Sequence, residues 1–402
     1  MMKIESKIRF KQFCDSWKTY KLGNLGSVAM NKRIFREETS EVGEIPFYKI
    51  GTFGSEPDSF ITREKFEEYK SKYPYPEIGD ILISASGSIG RTVEYRGEEA
   101  YFQDSNIVWL KHDERLDNSF LKQFYSIVKW QGIEGTTIKR LYNKNILETP
   151  IALPSISEQS AIGFLFRTLD DLLASYKDNL ANYQSFKETM LSKMFPKAGQ
   201  TVPEIRLDGF EGEWVEKRLK DISKRVTRKN NDLVSERALT ISAQFGLIDQ
   251  EEFFQKKIAS KDVSGYYLIK KGEFAYNKSY STGYPLGAIK RIDKYENGVL
   301  STLYILFKAV DVDSDYLAHY YESDKWHREV SMCASEGARN HGLLNIAPAD
   351  FFNTRLVVPK ELEEQRAIGS YFSNLDNLIN SHQEKISQLE TLKKKLLHDM
   401  FI

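Results

Sequence analysis

The fold is decided by the stretch Leu153-Pro154-Ser155-Ile156-Ser157-Glu158-Gln159-Ser160-Ala161-Ile162, which recurs near the end of the chain as Val358-Pro359-Lys360-Glu361-Leu362-Glu363-Glu364-Gln365-Arg366-Ala367-Ile368. The Glu-Gln and Ala-Ile pairs return at a constant offset of 206 residues. Upstream, Ile8-Arg9-Phe10 returns as Ile205-Arg206-Leu207 at an offset of 197. A period of roughly 200 residues is too long for a solenoid unit, so we interpret the chain as two related modules about a pseudo-twofold axis.

The residues after each repeated stretch follow a heptad pattern. From Ile162 and from Ile368 the seam positions recur at a strict 4-3-4-3 spacing, and 17 of the 20 positions are apolar. A narrow seam sustained over about five heptads is typical of a coiled coil. The predicted seam residues are Ile162, Phe166, Leu169, Leu173, Tyr176, Leu180, Ile368, Phe372, Leu375, Ile379, Ile386 and Leu389.

The coiled coil has one alternative, in which each helix packs only on its own module. Against it, both helices carry the same stripe and each needs a partner of equal length, which the other copy supplies. A twofold axis perpendicular to the helices would pair them antiparallel. Lys187 and Lys393 interrupt the apolar seam at equivalent positions, and His382 interrupts it once more, so we expect the register to be fixed there.

The predicted fold class is therefore α+β: two mixed α/β domains joined by two long helices that form an antiparallel coiled coil. We divide the chain into a first mixed domain at 1–155 and a first spacer helix at 156–200, followed by a second mixed domain at 201–360 and a second spacer helix at 361–402. Ser155 and Glu158 form a capping-box pattern at the start of the first helix.

Composition limits the class of protein. The chain has 402 residues, with 57 Lys+Arg against 57 Asp+Glu, so its formal net charge is zero. The sequence has no stretch of apolar residues long enough for a membrane span, and its first residues lack the apolar run of a signal peptide. Two cysteines, Cys14 and Cys333, are too few for a disulfide framework, which favours a cytoplasmic protein.

The sequence contains none of the motifs that would indicate a catalyst. It has no phosphate-binding loop, no dinucleotide fingerprint and no nucleophile elbow. The apolar run Ile81-Leu82-Ile83 followed by Ser84 to Gly90 predicts a strand that leads into a tight turn. The six histidines have no carboxylate or cysteine at metal-ligand spacing, so we expect neither catalytic residues nor a metal site.

Neither module is basic as a whole, so phosphate binding would depend on local clusters. The sharpest cluster runs from Lys217 to Lys229, and others lie beside turns rich in Gly, Ser, Thr and Asn, which suit contacts to phosphates and base edges. The alternative, that such charge runs are only solvated faces, stays open. The candidate DNA-contacting residues are Lys32, Arg33, Arg36, Ser86, Ser88, Arg91, Thr137, Lys139, Arg140, Lys224, Arg225, Arg228, Lys229, Lys278, Tyr280, Arg291, Arg339, Asn340 and His341.

The two-copy plan, the repeated Glu-Gln strings that open long helices and the run Phe210-Glu211-Gly212-Glu213-Trp214 resemble the specificity (S) subunit of a type I restriction-modification system. The resemblance covers essentially the whole chain. It implies two target recognition domains, each reading a few base pairs in the major groove, and spacer helices that fix the separation of the half-sites. Because the turn from Tyr280 to Gly287 is longer than that from Gly87 to Gly90, the two domains should read different sequences.

The resemblance also implies partners that carry the chemistry. These would be double-stranded DNA, two modification (methyltransferase) subunits with S-adenosylmethionine, and two restriction subunits that use ATP and Mg. We hypothesise that helix faces near Glu158-Gln159 and Glu364-Gln365 dock the modification subunits; alternatively, these residues only cap the helix ends. The competing function is a non-catalytic protein-interaction scaffold with two modules on a coiled-coil spacer.

Overall fold

The computed structural model describes residues 7–133, 139–242, 246–256, 262–279, 283–333 and 344–401. The chain forms two compact units. The first contains residues 1–177 together with 384–402, and the second contains residues 178–383. Each unit thus holds one mixed domain with part of each long helix, and the four predicted segments stay a prediction about how the chain is organised. Within the described residues, no helix combines the length and the apolarity that a membrane span requires.

The first mixed domain is built around a four-stranded antiparallel sheet. Its elements in chain order are β1 (Lys18–Lys21), β2 (Gly26–Ala29), β3 (Ile45–Tyr48), β4 (Phe60–Ile61), α1 (Arg63–Lys72), β5 (Ile81–Ser84), β6 (Thr92–Glu94), β7 (Tyr101–Phe102), β8 (Ile107–His112), α2 (Asn118–Ile127), α3 (Asn143–Glu148) and β9 (Pro150–Leu153). The central sheet has the order β2-β8-β5-β6, and β1 pairs with β9. A smaller sheet has the order β4-β3-β7, in which β3 pairs antiparallel with β4 and parallel with β7.

The strand and the turn predicted at Ile81 to Gly90 are confirmed. All four residues of β5 are buried, which explains its continuous apolar run. The following turn places Gly87 at a φ of 65° and Gly90 at a φ of 87°, in the region that favours glycine.

The second mixed domain repeats the central sheet. Its elements are β10 (Val215–Arg218), α5 (Leu219–Ile222), β11 (Ser223–Val226), β12 (Leu239–Ser242), β13 (Gly246–Asp249), α6 (Gln250–Phe254), β14 (Tyr267–Lys270), β15 (Phe274–Asn277), β16 (Ala288–Arg291), β17 (Asn297–Leu300), β18 (Ile305–Ala309), α7 (Ser314–Tyr320), α8 (His327–Cys333), α9 (Pro348–Phe352) and β19 (Arg355–Val358). The order β11-β18-β15-β16 matches β2-β8-β5-β6 strand for strand, and β10 pairs with β19 as β1 does with β9. The small sheet of the first domain also has a counterpart, in which β12 pairs antiparallel with β13 and meets β17 through a parallel bridge between Ala238 and Val299, and here β14 pairs with β17 as an additional strand.

Two long helices, α4 (Ile156–Lys193) and α10 (Leu362–Met400), follow the mixed domains. In the first unit, Phe166 of α4 lies near Phe401, just after α10, and Lys177 of α4 pairs with Glu390 of α10 at 2.6 Å. Residue numbers thus rise along one helix as they fall along the other, so the pairing is antiparallel. In the second unit, Tyr183 contacts His382, and Phe195, just after α4, stacks on Phe372 at 5.9 Å between ring centroids, again antiparallel.

Every one of the twelve named seam residues is buried or half-buried. In the first unit, Ile162, Phe166, Leu169 and Leu173 share one hydrophobic core with Leu389 and with the central sheet. In the second unit, Ile368 and Phe372 join the core of the other sheet. The predicted fold class, with two mixed domains and an antiparallel coiled coil, is confirmed.

Candidate nucleic-acid interface and its supports

In the first domain, loops from four strands meet at one end of the central sheet. The register pairs Ser84 with Ile107 and Ile83 with Thr92, so the turn after β5 lies beside the loop before β8. The strand β2 also runs antiparallel to β8, which brings the loop after Ala29 to the same end. We call this loop cluster the first loop end. Loops at the end of a rigid sheet are where binding residues commonly occur.

Several of the predicted DNA-contacting residues lie at the first loop end. Arg91 is exposed, and its guanidinium donates to the carbonyl of Gly54 at 3.1 Å. Arg33 is also exposed and pairs with Asp104 at 3.0 Å. Exposed Arg140 forms a main-chain bridge with Ser86. The structure therefore brings together side chains from three separate segments of the sequence.

The remaining predictions in this domain have different surroundings. Ser88 and Lys139 are exposed at the same end, whereas the Ser86 hydroxyl is buried and donates to Asn106 at 2.7 Å. The ammonium of Lys32 lies 5.3 Å from the centre of the Tyr73 ring. Arg36 is exposed on a separate groove that is lined also by Lys49 and Asp58. Thr137 lies outside the described residues.

The second domain has an equivalent loop end. Asn277 pairs with Ala288 and Val226 with Leu306, so the turn after β15 and the loop after β11 occupy the positions of their counterparts. Lys278 lies there, and its ammonium donates to the Ile346 carbonyl at 3.2 Å. Burial lowers the pKa of Lys278. A cation at the base of this turn is thus held by the protein's own backbone.

The basic cluster from Lys224 to Lys229 divides into two parts. Lys224 and Arg225 are exposed on the edge strand β11, where Lys224 is directly opposite Lys308. The Arg228 guanidinium instead forms a bidentate pair with the buried carboxylate of Glu273, the shortest contact being 2.7 Å. The Lys229 ammonium donates to a carbonyl at 2.8 Å and lies over the Tyr267 ring.

Arg291 is separated from the second loop end. It ends β16 at the opposite side of the sheet, opposite Phe274, and it pairs with Asp293 and Asp315, each at 2.7 Å. The structure therefore does not bring Arg291 to the loops. Tyr280, Arg339, Asn340 and His341 lie outside the described residues.

An ion pair between half-buried Arg9 and buried Glu158 fastens the first domain to the start of α4. The Arg9 guanidinium donates from Nε to Glu158 Oε1 at 2.6 Å and from Nη2 to Glu158 Oε2 at 2.7 Å. Glu158 is fully buried. Gln159 accepts a hydrogen bond from the backbone of Asp117, the cap of α2, at 2.9 Å, and donates to the carbonyl of Arg115 at 2.9 Å. We call this set of contacts the first joint.

The second joint repeats this arrangement at the start of α10. Arg206 donates to both carboxylate oxygens of Glu364, at 2.7 and 2.8 Å. Gln365 accepts from the backbone of Asp313, the cap of α7, at 2.9 Å. One difference is clear: Trp214 Nε1 donates to Glu364 at 3.1 Å, whereas Trp17 Nε1, at the equivalent position, is buried without a hydrogen-bond partner among the described residues.

Two glycines allow the helices to approach closely at the joints. A Cβ atom added at Gly163 would lie 1.8 Å from Ser119 Oγ. A Cβ atom added at Gly369, the equivalent position, would lie 2.8 Å from the backbone nitrogen of Tyr316. Only a residue without a side chain fits between α4 and α2, or between α10 and α7, at these points.

The joints show that the Glu-Gln pairs themselves are not available to a partner subunit, while docking of the modification subunits on helix faces near them stays a prediction. Glu158, Gln159, Glu364 and Gln365 are all buried, and their side chains bind within their own unit. They do not only cap the helix either, because the Glu158 carboxylate pairs with Arg9 while Ser155 accepts from the backbone of Glu158 at 3.4 Å. The reason is spatial: the first turn of each helix faces a mixed domain.

Sequence reasoning missed the joint residues Arg9, Arg206, Gly163 and Gly369. A signal existed, since both arginines lie in runs that repeat at an offset of 197 and both glycines follow the repeated Ala-Ile pair directly. What the repeat did not indicate is that each arginine meets a glutamate about 150 residues further along the chain, at separations of 149 and 158 residues.

The seam lysines have carboxylate partners on the opposite helix. In the second unit Lys187 pairs with Asp376, and with Glu322 at 2.8 Å; in the first unit Lys393 pairs with Asp170. Burial alone would lower the pKa of Lys187, but the carboxylates of Glu322 and Asp376 raise it overall. The two pairs are equivalent in the repeat, with the roles of the helices exchanged.

Within the described residues, His319, Glu322 and Asp376 form a group whose ligand atoms lie within 4.8 Å of one another. The ammonium of Lys187 already contacts both carboxylates, and the Nδ1 atom of His319 lies 3.2 Å from Glu322. A lysine ammonium supplies the positive charge that a metal ion would bring, so the group is an ion-pair network rather than a metal centre.

Comparisons with known proteins agree with this architecture. Residues 15–182 match the family model described as the type I restriction modification DNA specificity domain. A Haemophilus influenzae protein named as a type I restriction enzyme specificity subunit is 48% identical over 184 residues, which is 44% of this chain and 48% of that protein. The match therefore spans about half the length of that relative. The MjaVIII specificity subunit of Methanocaldococcus jannaschii is 22% identical over 334 residues, covering 80% of this chain and 75% of its own.

A solved structure extends the likeness to nearly the whole fold. The S subunit of a type I restriction-modification system from M. genitalium superposes with a TM-score of 0.60 and 16% identity over 99% of both chains. The fold thus places the chain among proteins with two mixed domains, each fastened to one of two antiparallel helices. The chain shares the fold of that S subunit, and residues 15–182 match the type I restriction modification DNA specificity domain, in agreement with the sequence resemblance.

Proposed function

We propose that the chain is the sequence-specific DNA-recognition and scaffold subunit of a type I restriction-modification enzyme, and that it reads an asymmetric, bipartite target. One observation carries this proposal: the same sheet end occurs in both domains with loops of different length and composition. A shared frame with different loops suits two readers of different half-sites, since base readout depends on the few side chains that reach the groove.

At the first loop end, Arg91 and Arg140 supply positive charge, and Ser88 supplies a hydroxyl group that can donate or accept hydrogen bonds. Arginine is the side chain most often used to recognise guanine in the major groove. At the second loop end Lys278 is partly buried, so it would act with its neighbours rather than as a freely moving cation. Non-specific attraction to DNA would be modest because the chain carries no net charge.

The chemistry would come from partner subunits, and this chain would contribute no catalytic residue. We propose two modification subunits that bring S-adenosylmethionine and two restriction subunits that bring ATP and Mg, all working on double-stranded DNA in the cytoplasm.

The outer faces of the helices support docking of the modification subunits. The first unit exposes Leu172 and Leu392, and the second exposes Phe186 and Leu378. Leu172 is equivalent to Leu378 and Phe186 to Leu392, at an offset of 206 residues. Equivalent apolar positions that occur twice suit two copies of one partner, each contributing an apolar helix face.

Exchange of the first domain tests the recognition function. Residues 1–155 are replaced with the corresponding residues of a relative of known target, and the chain is produced with its modification subunit in a host without other methylation. We expect one half-site to change completely while the other half-site stays as before. Methylation mapped across the genome measures both.

A change in both half-sites, or in neither, would contradict the proposal. The protein-interaction scaffold makes a different prediction, since a scaffold would leave no bipartite methylation motif that depends on this chain.

A further inference from the structure

We propose that the two joints are positioning devices: each fixes the direction in which a recognition domain projects from its helix, and together they set how many base pairs can separate the half-sites. Arg9 and Arg206 are then positioning residues of target recognition. The inference rests on the proposed function, because a spacer between half-sites has meaning only for a DNA reader.

The geometry of the ion pair indicates that it fixes the orientation of the domain and does not only attract it to the helix. Both oxygens of Glu158 are bound by two nitrogens of Arg9, and the same holds for Glu364 and Arg206. Two parallel hydrogen bonds between planar groups restrict rotation, which a single lysine contact would not do. The glutamates are 0% and 2% exposed, so dissolved salt screens the pairs little.

Two further contacts constrain each domain from other sides. Gln159 and Gln365 bind the backbone at the caps of α2 and α7, and Gly163 and Gly369 place those helices in direct contact with α4 and α10. The arginine comes from the segment before the domain's first strand, whereas the glutamine and the glycine of the long helix both meet the start of α2 or of α7. Contacts from two separate parts of the domain restrict its rotation about the helix more than either contact alone.

Stability alone does not explain the choice of residues. Replacing a buried ion pair by well-packed apolar side chains is often neutral or stabilising, so apolar packing would hold the domain at least as firmly. What the ion pair adds is a defined angle. The two domains differ in their loops and smaller sheets but have the same joint, as expected if the projection angle is common to both half-sites.

The test replaces the first ion pair with apolar residues of similar length, in the variant Arg9→Met/Glu158→Met. This pair keeps buried contact but has no directional bond, so a role in stability alone would leave recognition unchanged. With the full chain and its modification subunit, we expect unchanged half-site sequences and roughly tenfold more methylation at sites whose spacer is one base pair too long or too short. Unaltered spacer fidelity would overturn the proposal.

The chain offers a matched control in the same domain. Arg63 and Glu99 form a similar bidentate pair, at 3.3 and 3.1 Å, but on the surface and away from the joint. The variant Arg63→Met/Glu99→Met should keep the spacer fidelity of the original protein. Equal loss of fidelity in both variants would also overturn the proposal.

A second measurement does not depend on DNA and so separates this inference from the proposed function. Spin labels are attached at Glu64→Cys on α1 and Asp171→Cys on α4, both exposed, with Cys14 and Cys333 replaced by serine. We expect the distribution of label distances to be at least twice as broad in the Arg9→Met/Glu158→Met variant as in the labelled parent. An equally narrow distribution would reject the joint as a positioning device even if no methylation motif were found, and a broader one would support it.

Discussion

The two mixed domains have central sheets of the same strand order, yet what lies beside those sheets differs. In the first domain the second sheet is β4-β3-β7 and is followed by the ten-residue helix α1. In the second domain β12 pairs with β13 and meets β17 through a parallel bridge between Ala238 and Val299, β14 extends this sheet beyond β17, and α6 has only five residues. The joints, by contrast, are nearly identical in their chemistry: Arg, Glu, Gln and Gly recur at equivalent positions. The frame is therefore specified by polar contacts as well as by packing, and the variable parts do not take part in those contacts.

The joints also differ in one respect, and that difference gives the largest effect we expect. Glu364 binds Arg206 and Trp214, whereas Glu158 binds Arg9 while Trp17 Nε1 has no partner among the described residues. Glu364→Ala would leave the Arg206 guanidinium with only the carbonyls of Gly212 and Glu211 as acceptors and the Trp214 indole N–H unpaired, so we expect a loss of about 3 kcal/mol in the stability of the second unit. Calorimetric unfolding of the full chain measures it.

Glu158→Ala serves as the matched comparison. It removes the partner of Arg9 but breaks no hydrogen bond from a tryptophan. In addition, the Arg9 side chain is 23% exposed against 15% for Arg206, so water can partly solvate it. We expect a smaller loss than for Glu364→Ala. If Glu158→Ala lowered the stability more than Glu364→Ala, the extra hydrogen bond from Trp214 would not contribute to the stability of the second unit.

The glycines of the joints give the next largest effect. Gly163→Ala and Gly369→Ala should each destabilise their unit by about 1–3 kcal/mol, because a methyl group must fit where helices touch. At Gly163 the nearest obstacles are the Oγ and Cβ atoms of Ser119, at 1.8 and 2.5 Å, whereas at Gly369 they include the backbone nitrogen of Tyr316. The thermal midpoints of the single variants measure both losses.

Ser119→Ala is the control for this comparison. Combined with Gly163→Ala it removes the Ser119 Oγ atom at 1.8 Å but keeps the Cβ atom at 2.5 Å, so we expect it to restore part of the stability. At Gly369 the backbone nitrogen of Tyr316 would remain in any side-chain variant. An unrestored double variant would mean that the Cβ atom and the backbone of residue 119, rather than its hydroxyl, limit the approach.

The two units should also differ, by a smaller amount, in how much stability they lose at low pH. Burial alone would raise the pKa of Glu322, but His319, Lys187 and Lys290 together lower it well below its usual 4.5. A lowered pKa contributes stability above 4.5 that is lost as the pH falls below that value. The equivalent residue of the first unit, Ser126, does not titrate.

We therefore expect the second unit to lose roughly 1 kcal/mol more than the first on going from pH 6 to pH 3, and Glu322→Gln to abolish much of that difference. Hydrogen exchange measured separately for peptides from each unit gives the comparison. Equal acid sensitivity in the two units of the original protein would show that the lysine network does not depend on Glu322.

The smallest effect concerns the divided basic cluster. Lys224→Gln/Arg225→Gln removes two exposed cations, so the slope of log affinity against log salt should fall by about one for each phosphate that these side chains neutralise. Arg228→Gln should change the slope less, because Glu273 already neutralises that guanidinium. Titration of target DNA at several salt concentrations tests both variants. Equal slopes in all proteins would mean that Lys224 and Arg225 do not contact phosphates and are only exposed surface charges.

The repeat and the seam could be predicted because both are patterns of the sequence itself. A constant offset and a 4-3 spacing can be recognised without knowing any three-dimensional contact. Lys187 and Lys393 could be identified as interruptions of the seam for the same reason. Their partners Asp376 and Asp170 could not, since they are fixed by the antiparallel register rather than by spacing.

Which basic side chains pair with a carboxylate, and which stay available to DNA, could not be predicted from the sequence. Arg228 looked equivalent to Lys224 in the chain, but it lies opposite Glu273, 45 residues away, and Arg291 meets two aspartates. A basic residue near a turn is available to DNA only if no carboxylate from another strand reaches it first. That outcome depends on strand order and register, which the repeat alone does not determine.

The paired seam charges have a consequence for the ancestry of the chain. Each helix carries both halves of the pair, Asp170 with Lys187 in α4 and Asp376 with Lys393 in α10, and in each case the lysine of one helix binds the aspartate of the other. A single repeat is therefore self-complementary: two identical copies, side by side in opposite directions, would satisfy both pairs. The chain is accordingly what duplication and fusion of a shorter gene, whose product paired with a second copy of itself, would produce.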